Sequence, residues 1–323
     1  MNNNTTNELV SIVVTSYNHA EYLEQRLQSL LDQTYSNFEI IVVDDNSTDN
    51  SRQVLEKYRN NPKIKLFYNE INYGHAKTCN LGVSKCRGEY VIFAECDDYC
   101  ETKQIEILVD RMNRNSRAGV VYSSSNIVDE NGVVKCNDFF YREKRFQVKC
   151  SKDAEILKDD MQRFLLASCV IPNMSAALIR KSCFESVGGL SDKYKTCSDW
   201  DFWFRVALIT DFFYVSEPLN NFRRHSSSMD SIMGAKTQLL EIQELLHEAI
   251  ARVRLTWIEA IVYRIKTSAV LVSFLIRIFK KEKMLSIVYV IKVMLKHKSM
   301  AIFLFIAGMI RIISVCINRM LYK

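Results

Sequence analysis

Chain breakers are scarce in these 323 residues: there are 3 Pro and 9 Gly. That scarcity argues against long flexible linkers and low-complexity tracts. None of the 10 Cys forms a Cys-x-x-Cys pair, which removes the commonest structural zinc site. No Gly-rich, triphosphate-cradling loop follows a strand pattern, and no Ser, His and Asp fall into a hydrolase arrangement. Residues Met1 to Asn7 are polar and uncharged, without the basic start and apolar stretch of an export signal. They read as a loose tail, and the scattered cysteines as reduced thiols in a cytoplasmic setting.

What is present is an ordinary folded composition, 48% hydrophobic and 25% charged, long enough for one large domain or two unequal ones. The net charge of +6 is unevenly spread. From Lys236 onward 15 Lys and Arg face 5 Asp and Glu, whereas the preceding residues carry 28 against 32. In the tail the basic residues alternate with Leu, Ile, Val and Phe runs. That pattern favours anionic lipid over nucleic acid.

The front of the chain alternates two periodicities. Short β-branched runs at Ser11–Thr15, Glu39–Val43, Ile64–Phe67, Tyr90–Ala94 and Gly119–Ser123 read as strands. Helix patterns fall between them: Leu23, Leu27, Leu30 and Leu31 on one face, then 49–59, 75–85 and 103–113. Asn131-Gly132 marks a hairpin turn within Asn126–Val134. Such alternation predicts an α/β fold, a mostly parallel sheet with helices on both faces. Ligands in such sheets bind beyond the carboxyl ends of the strands. Two of those ends carry carboxylate pairs, Asp44-Asp45 and Asp97-Asp98. Carboxylates there can hold a hard cation such as Mn2+ or Mg2+ against a diphosphate, or accept hydrogen bonds from a base or ribose. The competing reading for both pairs is helix capping.

Four segments, in order, carry a family resemblance: Val10-Ser-Ile-Val-Val-Thr-Ser-Tyr-Asn18, Gln33-Thr-Tyr35, Ile41-Val-Val-Asp-Asp-Asn-Ser-Thr-Asp49 and Gly88-Glu-Tyr-Val-Ile-Phe-Ala-Glu-Cys-Asp-Asp98. Together they resemble family 2 glycosyltransferases of the GT-A, Rossmann-like fold, over roughly the first 235 residues. The resemblance implies an inverting, metal-dependent transfer from a nucleotide-sugar donor, of the kind used in bacterial surface polysaccharide synthesis. It places the metal on Asp97 and the nucleobase on Asp45, with Asp44 either joining it or shaping the turn. Thr15, Tyr17 and Asn18 fall near the base, Tyr17 stacking on it or packing on the sheet end. Asn72, Gly74 and Lys77 fall on the donor side, Lys77 facing a phosphate or solvent. Asp98 belongs to the same donor-binding set. Glu95 stands where the family usually has Asp, one methylene longer. Ser198-Asp199-Trp200-Asp201 is similar to the family's Glu-Asp-x-Asp segment and makes Asp199 the general base, with Ser198 in place of Glu. Phe222-Arg-Arg-His225 is similar to a late segment that closes over the diphosphate. There His225 would bind metal or phosphate, and Arg223 would pair with phosphate oxygens. The Gln-x-x-Arg-Trp signature of processive polymerases is absent, which favours one sugar per encounter.

The expected organisation is a catalytic domain over 8–235, with a nucleotide-binding half 8–100 and an acceptor half 101–235, followed by a helical region over 236–323. Ten uncharged residues separate Lys266 from Arg277, and twelve separate Lys298 from Arg311, both too few to span a bilayer. Helices lying in the interface of the inner face of the cell membrane fit this pattern, as does one inserted helix. A soluble helical subdomain or an oligomer contact is the rival. Membrane attachment would suit a saccharide acceptor carried on a lipid. Two other functions compete. A nucleotidyltransferase wants a Gly-rich basic loop where Thr15-Ser-Tyr-Asn-His-Ala20 stands instead. A non-catalytic binder of nucleotide sugars or membranes is left open by Glu95 and Ser198.

Overall fold

The computed structural model describes residues 8–171, 173–225 and 229–265. The chain forms two compact units, Met1–Met233 and Gly234–Lys323. The first begins with β1 (Val10–Ser16), α1 (Ala20–Leu31), β2 (Phe38–Asp44), α2 (Ser51–Glu56), β3 (Ile64–Tyr68), α3 (His75–Ser84) and β4 (Tyr90–Glu95). β5 (Tyr99–Cys100), α4 (Gln104–Arg114), β6 (Ala118–Val128), β7 (Val134–Asn137), α5 (Lys144–Lys149), β8 (Ala154–Ile156) and α6 (Lys158–Leu165) follow. β9 (Ala177–Arg180), α7 (Lys181–Ser186), α8 (Ser198–Ala207) and β10 (Asp211–Arg223) complete it, and α9 (Met229–Arg252) crosses into the second unit.

One sheet runs in the order β3-β2-β1-β4-β9-β6-β10-β5, with β7 beside β6 and β8 beside β10. β3, β2, β1 and β4 are parallel, as are β6 and β10. The mostly parallel α/β expectation therefore holds, in a mixed sheet whose strands β5, β7, β8 and β9 run antiparallel to their neighbours. β9 enters antiparallel between β4 and β6 and joins the two parallel blocks.

β1 and β2 are buried along their whole length apart from Thr15, because helices cover both faces. Leu23, Leu27 and Leu30 of α1 are buried in the core together with Ile12, Val14, Ile40 and Val42. On the other face α3 sits so close to β1 that a Cβ at Gly82 would lie 2.4 Å from Val13 Cγ1. Only glycine permits that separation. In the second unit the described residues after Arg252 form a short helix over 257–265. Among the described residues no helix is long and apolar enough to cross a membrane. The basic apolar stretch from Lys266 onward lies outside the described residues. The nine described cysteines form no disulfide with one another.

Candidate active site

The carboxyl ends of β1, β2 and β4 open onto a cleft of about 550 Å3, large enough for a nucleotide-sized ligand. Three groups of residues line it. Thr15, Tyr17, Asn18, Asp45, Asn72, Gly74 and Glu95 form the side nearest β1 and β2. Asp97 follows β4, Arg223 ends β10 and Arg224 follows it. Lys195, Ser198 and Asp199 come from the start of α8 and the loop before it.

Asp45 is buried and already employed. Its Oδ1 accepts from Asn69 Nδ2 at 2.7 Å and Tyr73 N at 2.9 Å, and its Oδ2 from Gly74 N at 2.8 Å. A carboxylate has about four acceptor positions, so roughly one remains for a ligand. The same bonds shape the loop before α3, where Gly74 adopts φ +84°, a left-handed conformation open to glycine. Asn72 Oδ1 also accepts from Gly74 N, at 2.9 Å.

Glu95 uses its additional methylene to reach sideways. Its Oε1 lies 2.9 Å from His75 Nε2, at the first residue of α3. The Cys79 sulfur, 3.5 Å from the same nitrogen, and the Glu95 carboxylate push the His75 imidazole well above the ordinary histidine value.

Asp97 faces two histidines. His225 Nε2 lies 2.9 Å from Asp97 Oδ2, and the His225 side chain is 2% exposed. Burial pushes the Asp97 carboxyl up, but the bond to His225 and the positive field of His19 and His225 outweigh it and hold the group low. One ligand atom from each of His19, Asp97 and His225 falls within 4.8 Å of the others. Among the described residues His19 Nε2 is buried without a hydrogen-bond partner. These groups fit a divalent cation: one hard oxygen and two imidazole nitrogens.

Several residues expected at the site stand elsewhere. Asp44 is wholly buried beneath the cleft: Oδ1 accepts from Arg52 Nε and from Ser47 N, each at 3.0 Å, so it shapes the turn after β2. Asp98 is turned away from the cleft, accepting from Arg223 N at 3.0 Å and Asn220 Nδ2 at 3.3 Å. Burial and the Asp97 charge raise its carboxyl to about 7, with Arg26 opposing. Lys77 lies on the surface, 3.2 Å from Asp192. Arg223 lines the cleft, yet its guanidinium is committed to the wall. Nε donates to Asp97 O at 2.7 Å, Nη1 to Glu130 O at 2.7 Å and Nη2 to Gln25 Oε1 at 2.6 Å. It also lies 4.7 Å from the Tyr22 ring centroid. The phosphate-pairing expectation for Arg223 is therefore replaced by a keystone role.

Asp199 sits in the first turn of α8, where the helix N-terminus favours its charge, and lines the cleft. Its Oδ1 accepts from Trp200 N at 2.8 Å. Asp201 pairs with Arg205 at 2.8 Å, and Phe202 and Trp203 are fully buried. Sequence reasoning missed His19 and His75. His19 directly follows the Tyr17-Asn18 segment, so its position at a strand tip was the available signal.

A family model described as "Glycosyl transferase family 2" matches residues 11–188. The chain belongs to that family. It is 29% identical over 246 residues to an uncharacterised glycosyltransferase of Rickettsia typhi, covering 76% of this chain and 72% of the relative. It is 27% identical over 268 residues to the glycosyltransferase GlyG of Streptococcus pneumoniae serotype 4, covering 80% and 85%. Among solved structures it resembles S. aureus TarS 1-349 in complex with UDP-GlcNAc, with a TM-score of 0.61, 22% identity and coverage of 84% and 72%. It also resembles the Pyrobaculum calidifontis mannosyltransferase PcManGT in complex with GDP-Man and Mn2+, with a TM-score of 0.58, 14% identity and coverage of 94% and 86%. Those similarities establish the GT-A architecture of this glycosyltransferase.

Proposed function

We propose that this family 2 glycosyltransferase inverts the anomeric centre as it moves one sugar from a nucleotide-diphosphate donor to an acceptor hydroxyl. UDP-sugars are the first donors to test, and a lipid-linked oligosaccharide is the acceptor class. The observation that carries this reading is that Asp45, Asp97 and Asp199 line one cleft. Asp45 keeps an acceptor position toward the base end. Asp97 and His225 would hold a divalent cation, which when bound neutralises the departing diphosphate. Asp199, at the far wall, takes the proton from the attacking hydroxyl. A second attachment supports the lipid-linked acceptor: the basic apolar stretch after Lys266 suits the inner face of a membrane.

Asp199→Asn should lower kcat by about 100- to 10000-fold while leaving nucleotide affinity near wild type. Asp97→Ala should abolish both turnover and the metal dependence of nucleotide binding. Transfer assays against a panel of nucleotide sugars, with calorimetry for UDP, check both. Near-normal turnover in folded Asp199→Asn removes the assigned base.

A further inference from the structure

A single carboxylate at a strand tip binds a divalent ion weakly and relies on the donor's phosphate oxygens to complete its shell. This cleft offers more. His19 comes from the β1–α1 loop, Asp97 from the end of β4 and His225 from the end of β10, and their ligand atoms converge within 4.8 Å. The His19 and His225 rings meet edge-on, with centroids 5.5 Å apart. His19 Nε2 is buried and has no hydrogen-bond partner among the described residues. Buried polar nitrogens are almost always satisfied, so an orphan on a ring that converges with a carboxylate and a second imidazole calls for a ligand.

The loop is built to hold the imidazole there. Asn18 takes φ +55°, in the left-handed region. Its N donates to Ser47 Oγ at 3.0 Å, and its Oδ1 accepts from Thr48 N at 2.8 Å. On the other side of His19, Ala20 N donates to Asp49 Oδ2 at 3.0 Å. Both neighbours are thus pinned to the loop after β2, and neither pin uses His19 Nε2. The competing role is aromatic packing: Tyr22 lies 6.2 Å from the His19 ring. Packing alone leaves a buried ring nitrogen without a partner among the described residues.

We propose that His19 is a third protein ligand of the cation, so that the cleft retains a transition metal ion before any donor arrives. This rests on the placement of a cation at Asp97 and adds its third ligand, its selectivity and its binding order. Two imidazole nitrogens and one carboxylate suit Mn2+ and its heavier neighbours better than Mg2+ or Ca2+, which favour oxygen shells. Three protein ligands leave the remaining positions to the donor.

The test uses the full chain, stripped with a chelator and titrated calorimetrically with MnCl2 or MgCl2 in the absence of nucleotide. Mn2+ should bind at one site, more tightly than Mg2+. His19→Ala should weaken Mn2+ binding at least about tenfold, the lower end of what even an outer-shell loss costs. Pulsed electron paramagnetic resonance of the Mn2+-loaded wild type should show two coupled imidazole nitrogens, a readout that needs no variant to fold. Equal Mn2+ affinity in wild type and folded His19→Ala, equal Mn2+ and Mg2+ affinity in the wild type, or a single coupled imidazole would each overturn the proposal. Mn2+ binding that survives Asp97→Ala would instead sink the placement of the cation and, with it, the functional reading above.

Discussion

Arg223 shows how one side chain can matter to chemistry without touching it. Its guanidinium bridges the Asp97 carbonyl, the β6–β7 turn and Gln25 of α1, and it sits against Tyr22, whose ring packs 5.0 Å from His225. Replacing it by Lys leaves one ammonium for three separated acceptors. Arg223→Lys should cost about 2 kcal/mol of stability, from hydrogen bonds to a charged donor. It should also loosen Asp97, so that metal affinity falls along with the unfolding midpoint. Denaturant titration and Mn2+ calorimetry on one preparation check the pair, and an unchanged metal affinity would count against the keystone role. At this scale the sequence reported which residue types were available but not their commitments. Arg223 and Asp98 stand in matching motif positions, yet one is held by carbonyls and the other is sealed behind the strand end. His19 escaped notice because 77 residues separate it from Asp97 and no local spacing announces a site assembled from three distant elements.

β2 illustrates an element stapled by a single buried acid. Glu39 accepts from Ser11 Oγ of β1 at 2.8 Å, from Arg87 N at 2.8 Å and Nε at 2.9 Å ahead of β4, and from Lys65 Nζ of β3 at 3.0 Å. Burial alone would raise its carboxyl, but these bonds prevail and bring it down to about 2. Its native value lies below the unfolded one near 4.5, so its contribution is complete above that value. It drains away as pH falls toward 2. Glu39→Gln should therefore destabilise the protein by about 2 kcal/mol near pH 7. The difference should shrink below pH 4, as urea titrations at both values would reveal; a pH-independent difference would exclude the linkage. β1, β2 and β4 were legible because both faces are covered, which yields the apolar runs Ile12–Val14, Ile40–Val43 and Tyr90–Ala94. β9 is four residues long, and β10 carries Pro218 at one of its register shifts, so neither kept a readable period.

The whole chain divides at Met233, close to where the charge balance turns basic. The catalytic cleft lies wholly in the first unit, and the basic apolar stretch in the second. Removing the chain from Gly234 should leave Mn2+ binding intact and abolish flotation with vesicles containing anionic lipid. Flotation of the full chain should also weaken as salt screens the basic residues. Equal flotation of the shortened chain would relocate membrane attachment to the catalytic unit. The signal for an anchor in the sequence is the tail's composition, basic residues alternating with apolar runs.

Asn220 and Arg223 stand at the end of β10 and His225 just beyond it, while their partners Asp97, Asp98 and Gln25 emerge much earlier in synthesis. A nascent copy still missing β10 lacks the bonds from Arg223 to the Asp97 carbonyl, from His225 to the Asp97 carboxylate and from Asn220 to Asp98. On the proposed reading, the wall around the cation is completed only once the ribosome has delivered the end of β10 and His225.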